Sequence, residues 1–476
     1  MAKSKEKELV IIGAGPGGYA AAFRAADLGL QVTLIGTDID PGGTCLYEGC
    51  IPTKTLIEAL KIKEDAVTAK EWGLEFGKPT IDVEALATWK DEIVKKLTEG
   101  VGLLSTDREI EYIKGKAVFL SENELEIQPV EGKPYPVTFK NVILATGSVP
   151  KELPEAKFDS ERIIDSTKAL ELKKIPKSML VIGGGYIGPS LGSIYASLGS
   201  KVTLVEETKG LLSWIDPDLA TAYTKENEML FEKSHFETTL KEAIVNNKKK
   251  VKVKLETKGK EWEETFDLVL VAMGRIPNTH SLNLEKAGIE TDTGGFIQVD
   301  DKRRTAKENI FAIGDLVNQA LFANKASHEG KFVAGLIAGK HRDKFDPKAI
   351  PSIVATTRTE MAWCGLTEAE AKQQEIEIRV AKFPWSASGR AASMGIRRGL
   401  TKLLIDSQSN KILGGGVVGE KAGSLIAEIA FALQISASAE DIALIVHPHP
   451  TLSESIMEAA EAYQGAATHL AAGKNV

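Results

Sequence analysis

The chain has 476 residues, 43% hydrophobic and 26% charged, with a formal net charge of −7. That length exceeds one ordinary core and predicts three or more lobes, while the negative balance disfavours nonspecific nucleic-acid binding. Residues 1–8 carry acids and no apolar core of a signal or transit peptide, and no stretch approaches the roughly 20 apolar residues of a membrane span; a cytoplasmic location is expected. Only three cysteines occur, as in a reducing compartment, where a disulfide is usually catalytic or sensing.

In chain order, the first element is a buried-strand pattern over residues 9–12, followed by Gly13, Gly15 and Gly18. An Ala-rich helical stretch then ends at Leu28-Gly29, and a second strand covers residues 32–35. The same order returns at an offset of 170 residues, with a strand at 179–182 and Gly183, Gly185 and Gly188. A helical stretch ending at Leu198-Gly199 and a strand at 202–205 complete the second copy. One GxGxxG is weak; two copies in full strand–glycine–helix–strand context point to two dinucleotide sites. The glycines let backbone N–H groups approach a pyrophosphate at a helix N-terminus. Glu206 follows the second copy's strand, placed for adenosine ribose hydroxyls, and no arginine cluster follows it, which favours NAD over NADP. In the first copy Gly36 holds that place, and Asp38 and Asp40 are the candidate substitutes.

Between the copies lies Gly42-Gly43-Thr44-Cys45-Leu46-Tyr47-Glu48-Gly49-Cys50-Ile51-Pro52-Thr53-Lys54. A metal site needs more ligands than these two cysteines, and none is expected. Residues five apart on an ideal helix do not bridge, since a disulfide needs Cα atoms within ~7 Å; the segment is therefore expected to be irregular, with Gly49 supplying freedom. A Cys50 thiolate near a helix start would be stabilised by the helix dipole. An electron-carrying pair is the leading reading, two buried structural thiols the alternative.

Residues 142–147 and 268–274 share a strand pattern, so the second dinucleotide unit reads as inserted into the first. Residues 309–315 return as a strand ending in Asp315. From about residue 351 the pattern becomes antiparallel, with a strand at 399–405 and a helix presenting Leu425, Ile429 and Leu433 on one face. Near the end stands His447-Pro448-His449-Pro450-Thr451-Leu452-Ser453-Glu454. Histidine is the natural base for a thiol near neutral pH; Glu454 is spaced to pair with His449 across a turn, and Pro450 is a candidate cis proline.

The motifs GGTCLxxGCIPxK, ATGS, GRxPN, IFAIGD and HPHPTLSE together resemble the dihydrolipoamide dehydrogenases, within the flavin disulfide reductases, from about Leu9 to the end. The resemblance implies an α/β fold: two Rossmann-like dinucleotide-binding domains, the NAD domain inserted in the FAD domain, plus a C-terminal α+β dimerisation domain. It implies FAD binding by 1–150, NAD binding by 151–275, a central domain completing the FAD site over 276–350, and an interface domain over 351–476. It implies a homodimer in which Cys45 is the interchange thiol, Cys50 faces the flavin, and His449 with Glu454 serves the other subunit's site. Cofactor contacts implied are Gly13, Gly15, Gly18, Gly36, Gly43, Thr44, Lys54, Ala117, Thr146, Gly147, Gly314, Asp315 and Ala323. They continue with Gly183, Gly185, Tyr186, Ile187, Gly188, Glu206, Leu240, Gly274 and Arg275.

The implied activity is oxidation of protein-bound dihydrolipoamide with reduction of NAD+, the partner being a lipoyl carrier of a 2-oxoacid dehydrogenase complex, the glycine cleavage system or another system. The alternatives are an NADH-dependent disulfide reductase or diaphorase with another acceptor, and a flavin-binding assembly subunit with little turnover. Mercuric reductases and large thioredoxin reductases carry C-terminal cysteine pairs, whereas this chain has no cysteine after Cys364. The chain also departs from the family pattern. Gly36 replaces an acid, Tyr47-Glu48 replaces Asn-Val, and Ser190 replaces a glutamate that pairs with the lysine at the Lys54 position. Asn324 replaces a histidine, Thr357-Arg358 replaces Glu-Pro, and Tyr186 is bulky for its place.

Overall fold

The computed structural model describes residues 5–77, 79–317, 320–340 and 344–471. The chain divides into two compact units, one made of residues 1–55, 82–151 and 274–346, the other of 56–81, 152–273 and 347–476.

In the first unit, five strands lie side by side and parallel in the order Glu111–Ser121, Val32–Gly36, Lys5–Ile12, Tyr135–Leu144, Ile310–Ala312. Glu124–Pro129 pairs antiparallel with both Glu111–Ser121 and Tyr135–Leu144. Every residue of Val32–Gly36 is buried, as a near-continuous apolar run requires when both faces of a parallel sheet are covered. Helix Pro16–Asp27 starts with proline in its first turn and turns Ala20, Ala21, Ala22 and Ala25 inward. These small side chains let it pack closely on helix Ala323–Ile337. A Cβ added at Gly330 would stand 2.3 Å from the Gly17 carbonyl oxygen, so the crossing accepts no side chain there. The expected strand over 309–315 is shorter, Ile310–Ala312, and Asp315 sits in the following 3-10 turn Gly314–Leu316.

In the second unit, a parallel sheet runs Lys233–His235, Lys201–Val205, Ser178–Ile182, Leu268–Val271, Ile163–Ile164. An antiparallel sheet of Thr238–Val245, Val251–Thr257 and Lys260–Phe266 accompanies it. The second copy of the repeat thus repeats the first strand for strand: Ser178–Ile182 takes the place of Lys5–Ile12, and helix Ile187–Ser197 that of Pro16–Asp27.

The same unit holds a five-stranded antiparallel sheet, ordered Ser352–Ala355, Glu360–Gly365, Ile412–Gly419, Leu400–Asp406, Ile378–Pro384. Helices Ala422–Ile435 and Glu454–Gln464 cover it around a core that includes Trp385, Phe383, Ile429 and Ile456. On Ala422–Ile435 the buried stripe is Ala422, Ile426, Ile429 and Leu433, with Leu425 only half-buried. Cys364 is buried in the same core, where desolvation pushes its thiol up to about 12; it is an inert packing residue.

Candidate active site

Both glycine loops have the geometry of a nucleotide cradle. Gly13 has φ +107° and Gly183 φ +111°, left-handed values that favour glycine. A Cβ at Gly18 would lie 1.7 Å from the Gly13 carbonyl oxygen, and one at Gly188 would lie 1.9 Å from that of Gly183. Helix Pro16–Asp27 opens directly from the first loop. A Cβ at Gly43 would meet the Gly15 Cα at 2.5 Å, so two bare backbones meet at that helix N-terminus. This cradle, free of side chains beside the helix-end N–H groups, fits the pyrophosphate of FAD. In the second copy, Glu206 Oε2 accepts the Gly184 N–H at 2.6 Å, and Oε1 accepts the Thr208 N–H at 2.8 Å. An acid at the strand end beside the loop fits the adenosine ribose of NAD.

The cysteines lie where two helices meet. Short helix Gly43–Tyr47 carries Cys45, the chain breaks at Glu48-Gly49, and helix Cys50–Thr68 begins at Cys50 itself. The irregularity expected from the spacing is this break. Both residues are free thiols, and each shifts the other's titration in the opposite direction. The interaction with Cys45 comes first, with the charges of Lys54 and Arg275 helping and desolvation opposing, and lowers the Cys50 thiol to about 7. The same interaction, with burial, pushes Cys45 upward. Cys50 is thus the member of the pair drawn toward thiolate.

Asp315 belongs to a chain of contacts in the first unit. Ser148 Oγ donates to Asp315 Oδ2 at 2.6 Å and accepts from Arg275 Nε at 2.8 Å. Behind Asp315, Gly314 is gripped from both sides: its N–H donates to Glu329 Oε2 at 2.6 Å and its carbonyl accepts from Lys325 Nζ at 3.1 Å. Arg303 Nε donates to Glu329 Oε1 at 2.9 Å. Lys325 and Glu329 are 2% and 0% exposed at their side chains, so these buried charges compensate one another. Ser148 entered the sequence reading only as the last residue of ATGS, and Lys325 and Glu329 escaped it; their i,i+4 spacing on helix Ala323–Ile337 was the one local signal.

Thr146 Oγ1 donates to the Asn278 carbonyl at 2.7 Å, while the Asn278 N–H returns to the Gly147 carbonyl at 2.9 Å. This ties ATGS to GRxPN. Gly274 turns with φ +97° into strand Arg275–Pro277, and Ala323 opens its helix. Thr44 is exposed, in the first turn of helix Gly43–Tyr47. Ala117 and Leu240 are buried in the cores of their units.

In the second unit, Tyr186 caps helix Ile187–Ser197 and its ring stacks on Trp363, centroids 5.6 Å apart at 12°, and tilts against Trp214 at 5.5 Å. Ser190 is buried and donates to the Ala355 carbonyl at 2.6 Å. One turn on, Ser193 Oγ accepts the Thr357 N–H at 3.3 Å. The departures at Ser190 and Thr357 thus share one polar seam.

His449 Nδ1 lies 2.7 Å from Glu454 Oε1, and Glu454 Oε2 accepts the Thr451 N–H at 2.7 Å. The His449–Pro450 peptide is cis, and Glu454 is the first residue of helix Glu454–Gln464. Burial draws the Glu454 carboxyl upward, but the bonds from His449 and Thr451 hold it below the usual carboxylate range. The imidazole is 75% exposed, leaving Nε2 available to solvent or substrate. The cysteine pair belongs to the first unit and this dyad to the second.

Comparison with known proteins agrees with this chemistry. Residues 7–330 match the pyridine nucleotide-disulphide oxidoreductase family, and residues 350–460 match its dimerisation domain. A dihydrolipoyl dehydrogenase of Vibrio cholerae is 43% identical over 472 residues, 99% of this chain and 98% of that protein. One from Geobacillus stearothermophilus is 43% identical over 469 residues, 98% of each. The crystal structure of LpdA from Mycobacterium tuberculosis superposes with a TM-score of 0.87 at 25% identity, covering 96% of this chain and 99% of that one. The chain belongs to the pyridine nucleotide-disulphide oxidoreductase family, among the dihydrolipoyl dehydrogenases.

Proposed function

We propose that this chain oxidises protein-bound dihydrolipoamide to lipoamide and reduces NAD+ to NADH. The observation that carries the reading is the Cys45–Cys50 pair, two free thiols on either side of the break between helices Gly43–Tyr47 and Cys50–Thr68, with Cys50 at a helix start. FAD and NAD are the cofactors of this family. In this reading residues 1–150 and 276–350 hold FAD, 151–275 hold NAD, and 351–476 join two copies into a homodimer. The dimerisation-domain match over 350–460 supports that last assignment. Among the described residues no helix is long and apolar enough to cross a membrane; the cytoplasmic location is proposed on the sparse cysteine content of a reducing compartment.

His449 Nε2 takes the proton of one substrate thiol while Glu454 holds Nδ1 and the positive charge that forms. The resulting thiolate attacks Cys45 in the oxidised pair; a substrate–Cys45 bond forms and the Cys45–Cys50 bond breaks, leaving Cys50 as thiolate. The second substrate thiol then attacks the first substrate sulfur and displaces Cys45; the proton held by His449 passes to the departing Cys45 sulfur, and the proton of the second thiol is taken up by His449. The substrate loses two electrons as its disulfide closes, and the cysteine pair gains them. Bound FAD supplies the two-electron relay from Cys50 to NAD+. Lys54 and Arg275 stabilise the Cys50 thiolate during this cycle. Asp315, Ser148 and Arg275, joined by their hydrogen bonds, are the polar residues of the first unit that would hold FAD.

The test is NAD+ reduction by dihydrolipoamide, with Cys45→Ser and His449→Ala as controls. Turnover is expected in the wild type and its loss in Cys45→Ser; turnover surviving that change sinks the disulfide relay. A flavin-loaded wild type that turns over other acceptors but not dihydrolipoamide points to a diaphorase, and one without turnover to an assembly subunit.

A further inference from the structure

The two copies of the repeat differ at the place where a nucleotide ribose is read. The 170-residue offset pairs Gly36 with Glu206 and Ala14 with Gly184. In the second copy the acid fills the strand end and the loop residue is bare: a Cβ at Gly184 would stand 3.0 Å from the Glu206 side chain. In the first copy the sizes are exchanged. A Cβ at Gly36 would stand 2.6 Å from the Ala14 methyl and 2.7 Å from the Tyr112 hydroxyl. No acid fits at Gly36 with Ala14 and Tyr112 in place. A polar oxygen nevertheless stands at the strand end, brought from the neighbouring strand Glu111–Ser121, where Tyr112 pairs with Leu34.

The direction of that hydroxyl's bond matters. Tyr112 Oη donates to the Asp38 carbonyl at 2.9 Å. With its one proton committed, the oxygen offers only lone pairs to anything else. A strand-end acid offers the same to ribose hydroxyls, which must donate. The surrounding departures support this arrangement. Tyr47 Oη donates to the Asp40 carbonyl at 3.1 Å and accepts its N–H at 3.3 Å, so two tyrosines pin the segment after Gly36 at two points. Glu48 stands near enough to Asp38 to act on its charge, and burial with that repulsion pushes the Asp38 carboxyl upward. Gly36, Tyr47 and Glu48, scattered departures in the sequence, form one cluster with Tyr112 in space.

We infer that the Tyr112 hydroxyl, in place of a strand-end acid, accepts the hydrogen bond of the adenosine ribose of FAD. Tyr112 is thus a specificity-determining residue of the first nucleotide site. The inference rests on the cofactor reading above and goes beyond it by naming the group that reads the ribose.

The experiment uses flavin-free protein, wild type and Tyr112→Phe, titrated with FAD and with FAD analogues built on 2′-deoxy- and 3′-deoxyadenosine, followed by flavin fluorescence. In the wild type, FAD is expected to bind about 3- to 10-fold more tightly than one of the analogues, the worth of one hydrogen bond. In Tyr112→Phe that preference disappears. Comparing ligands within each variant cancels any general loosening of the fold. A preference that persists in Tyr112→Phe, or a wild type that binds FAD without any preference, overturns the inference alone. A wild type that takes up no FAD overturns the cofactor reading and the inference with it.

Discussion

Nδ1 of His449 is bonded to Oε1 of Glu454 at 2.7 Å, and this bond decides which nitrogen does the chemistry. The carboxylate favours Nδ1 as the protonated nitrogen, so Nε2 carries the lone pair that, in the proposed reaction, takes a thiol proton. In the proposed reaction Glu454 acts on the substrate only through His449, which makes it a positioning residue. His449→Ala is expected to lower kcat for dihydrolipoamide by about 10²- to 10⁴-fold, the usual worth of a general base. Glu454→Gln keeps the spacing but weakens the charge-assisted bond, and a loss of about 10- to 100-fold is expected. Diaphorase turnover with NADH and an artificial acceptor, which needs no thiol base, is expected to survive both changes. Equal loss in the two assays would place the dyad outside thiol chemistry.

The asymmetry of the cysteine pair predicts a titration. Cys50 falls to about 7, first through the interaction with Cys45 and then through Lys54. In the reduced protein, thiolate absorbance near 240 nm should rise with a midpoint near pH 7. Its sign follows directly: below that midpoint Cys50 is protonated and the electron-donating thiolate is lost, so dithiol oxidation weakens on the acid side. Lys54→Met removes a favourable charge and is expected to move the midpoint upward, toward the ordinary cysteine range. A midpoint unmoved by that change would show that Lys54 exerts no field at Cys50.

Much of this was legible in the sequence, for identifiable reasons. The two dinucleotide units announce themselves because glycine is required at Gly13 and Gly183 by φ, and at Gly18 and Gly188 because a Cβ there would stand 1.7 and 1.9 Å from the carbonyl oxygens of Gly13 and Gly183. The break between Cys45 and Cys50 followed from disulfide geometry, and the His449–Glu454 pair from a five-residue spacing. What stayed hidden depends on distant contacts. Tyr112 meets Asp38 across 74 positions of chain, and neither residue carries a motif. The grip of Lys325 and Glu329 on Gly314 requires knowing that their helix packs behind the loop. Leu425 and Ile426 differ by one residue in an almost wholly apolar helix, where periodicity hardly distinguishes the buried face.

Glu206 supplies the next prediction. Its two carboxylate oxygens are engaged by Gly184 and Thr208 at 2.6 and 2.8 Å, which holds the charge beside the second glycine loop. Ribose hydroxyls can donate to it, whereas a 2′-phosphate meets like charge. Glu206→Ala is expected to weaken NAD binding by about 10- to 100-fold, the range for hydrogen bonds to a charged group. Binding of NADP, whose 2′-phosphate gains nothing from the carboxylate, should fall less, so the NAD-to-NADP ratio narrows. The check is the dissociation constant of each nucleotide on the flavin-loaded protein, and an unchanged ratio would remove Glu206 from nucleotide selection.

Lys402 stands at the centre of a different constellation, where the structure predicts stability and not catalysis. Its side chain is 0% exposed, and Nζ reaches Asp216 Oδ2 at 2.8 Å, Asp218 Oδ1 at 2.9 Å and Glu368 Oε1. Lys382 adds a second cation on Asp218 Oδ2 at 2.7 Å. Burial draws the Lys402 ammonium downward, but its bonds to Asp216, Glu368 and Asp218 hold it above the usual lysine range. Three carboxylates at this spacing resemble a metal site; the ammonium already occupies its centre. Because Asp216 and Asp218 begin helix Pro217–Asn227 while Lys402 lies in strand Leu400–Asp406, the cluster ties that helix to the five-stranded antiparallel sheet of the second unit. Lys402→Met leaves the acids facing one another with one lysine, and a loss of about 3–5 kcal/mol is expected for a broken buried network. The pH dependence follows from the same charges. Without Lys402 the carboxyls bind protons more readily folded than unfolded, so the variant recovers stability as pH falls, and its deficit should be smaller at pH 5 than at pH 8. Urea denaturation at the two pH values measures both; a deficit independent of pH would assign the loss to packing of the methylene stem and not to the ammonium.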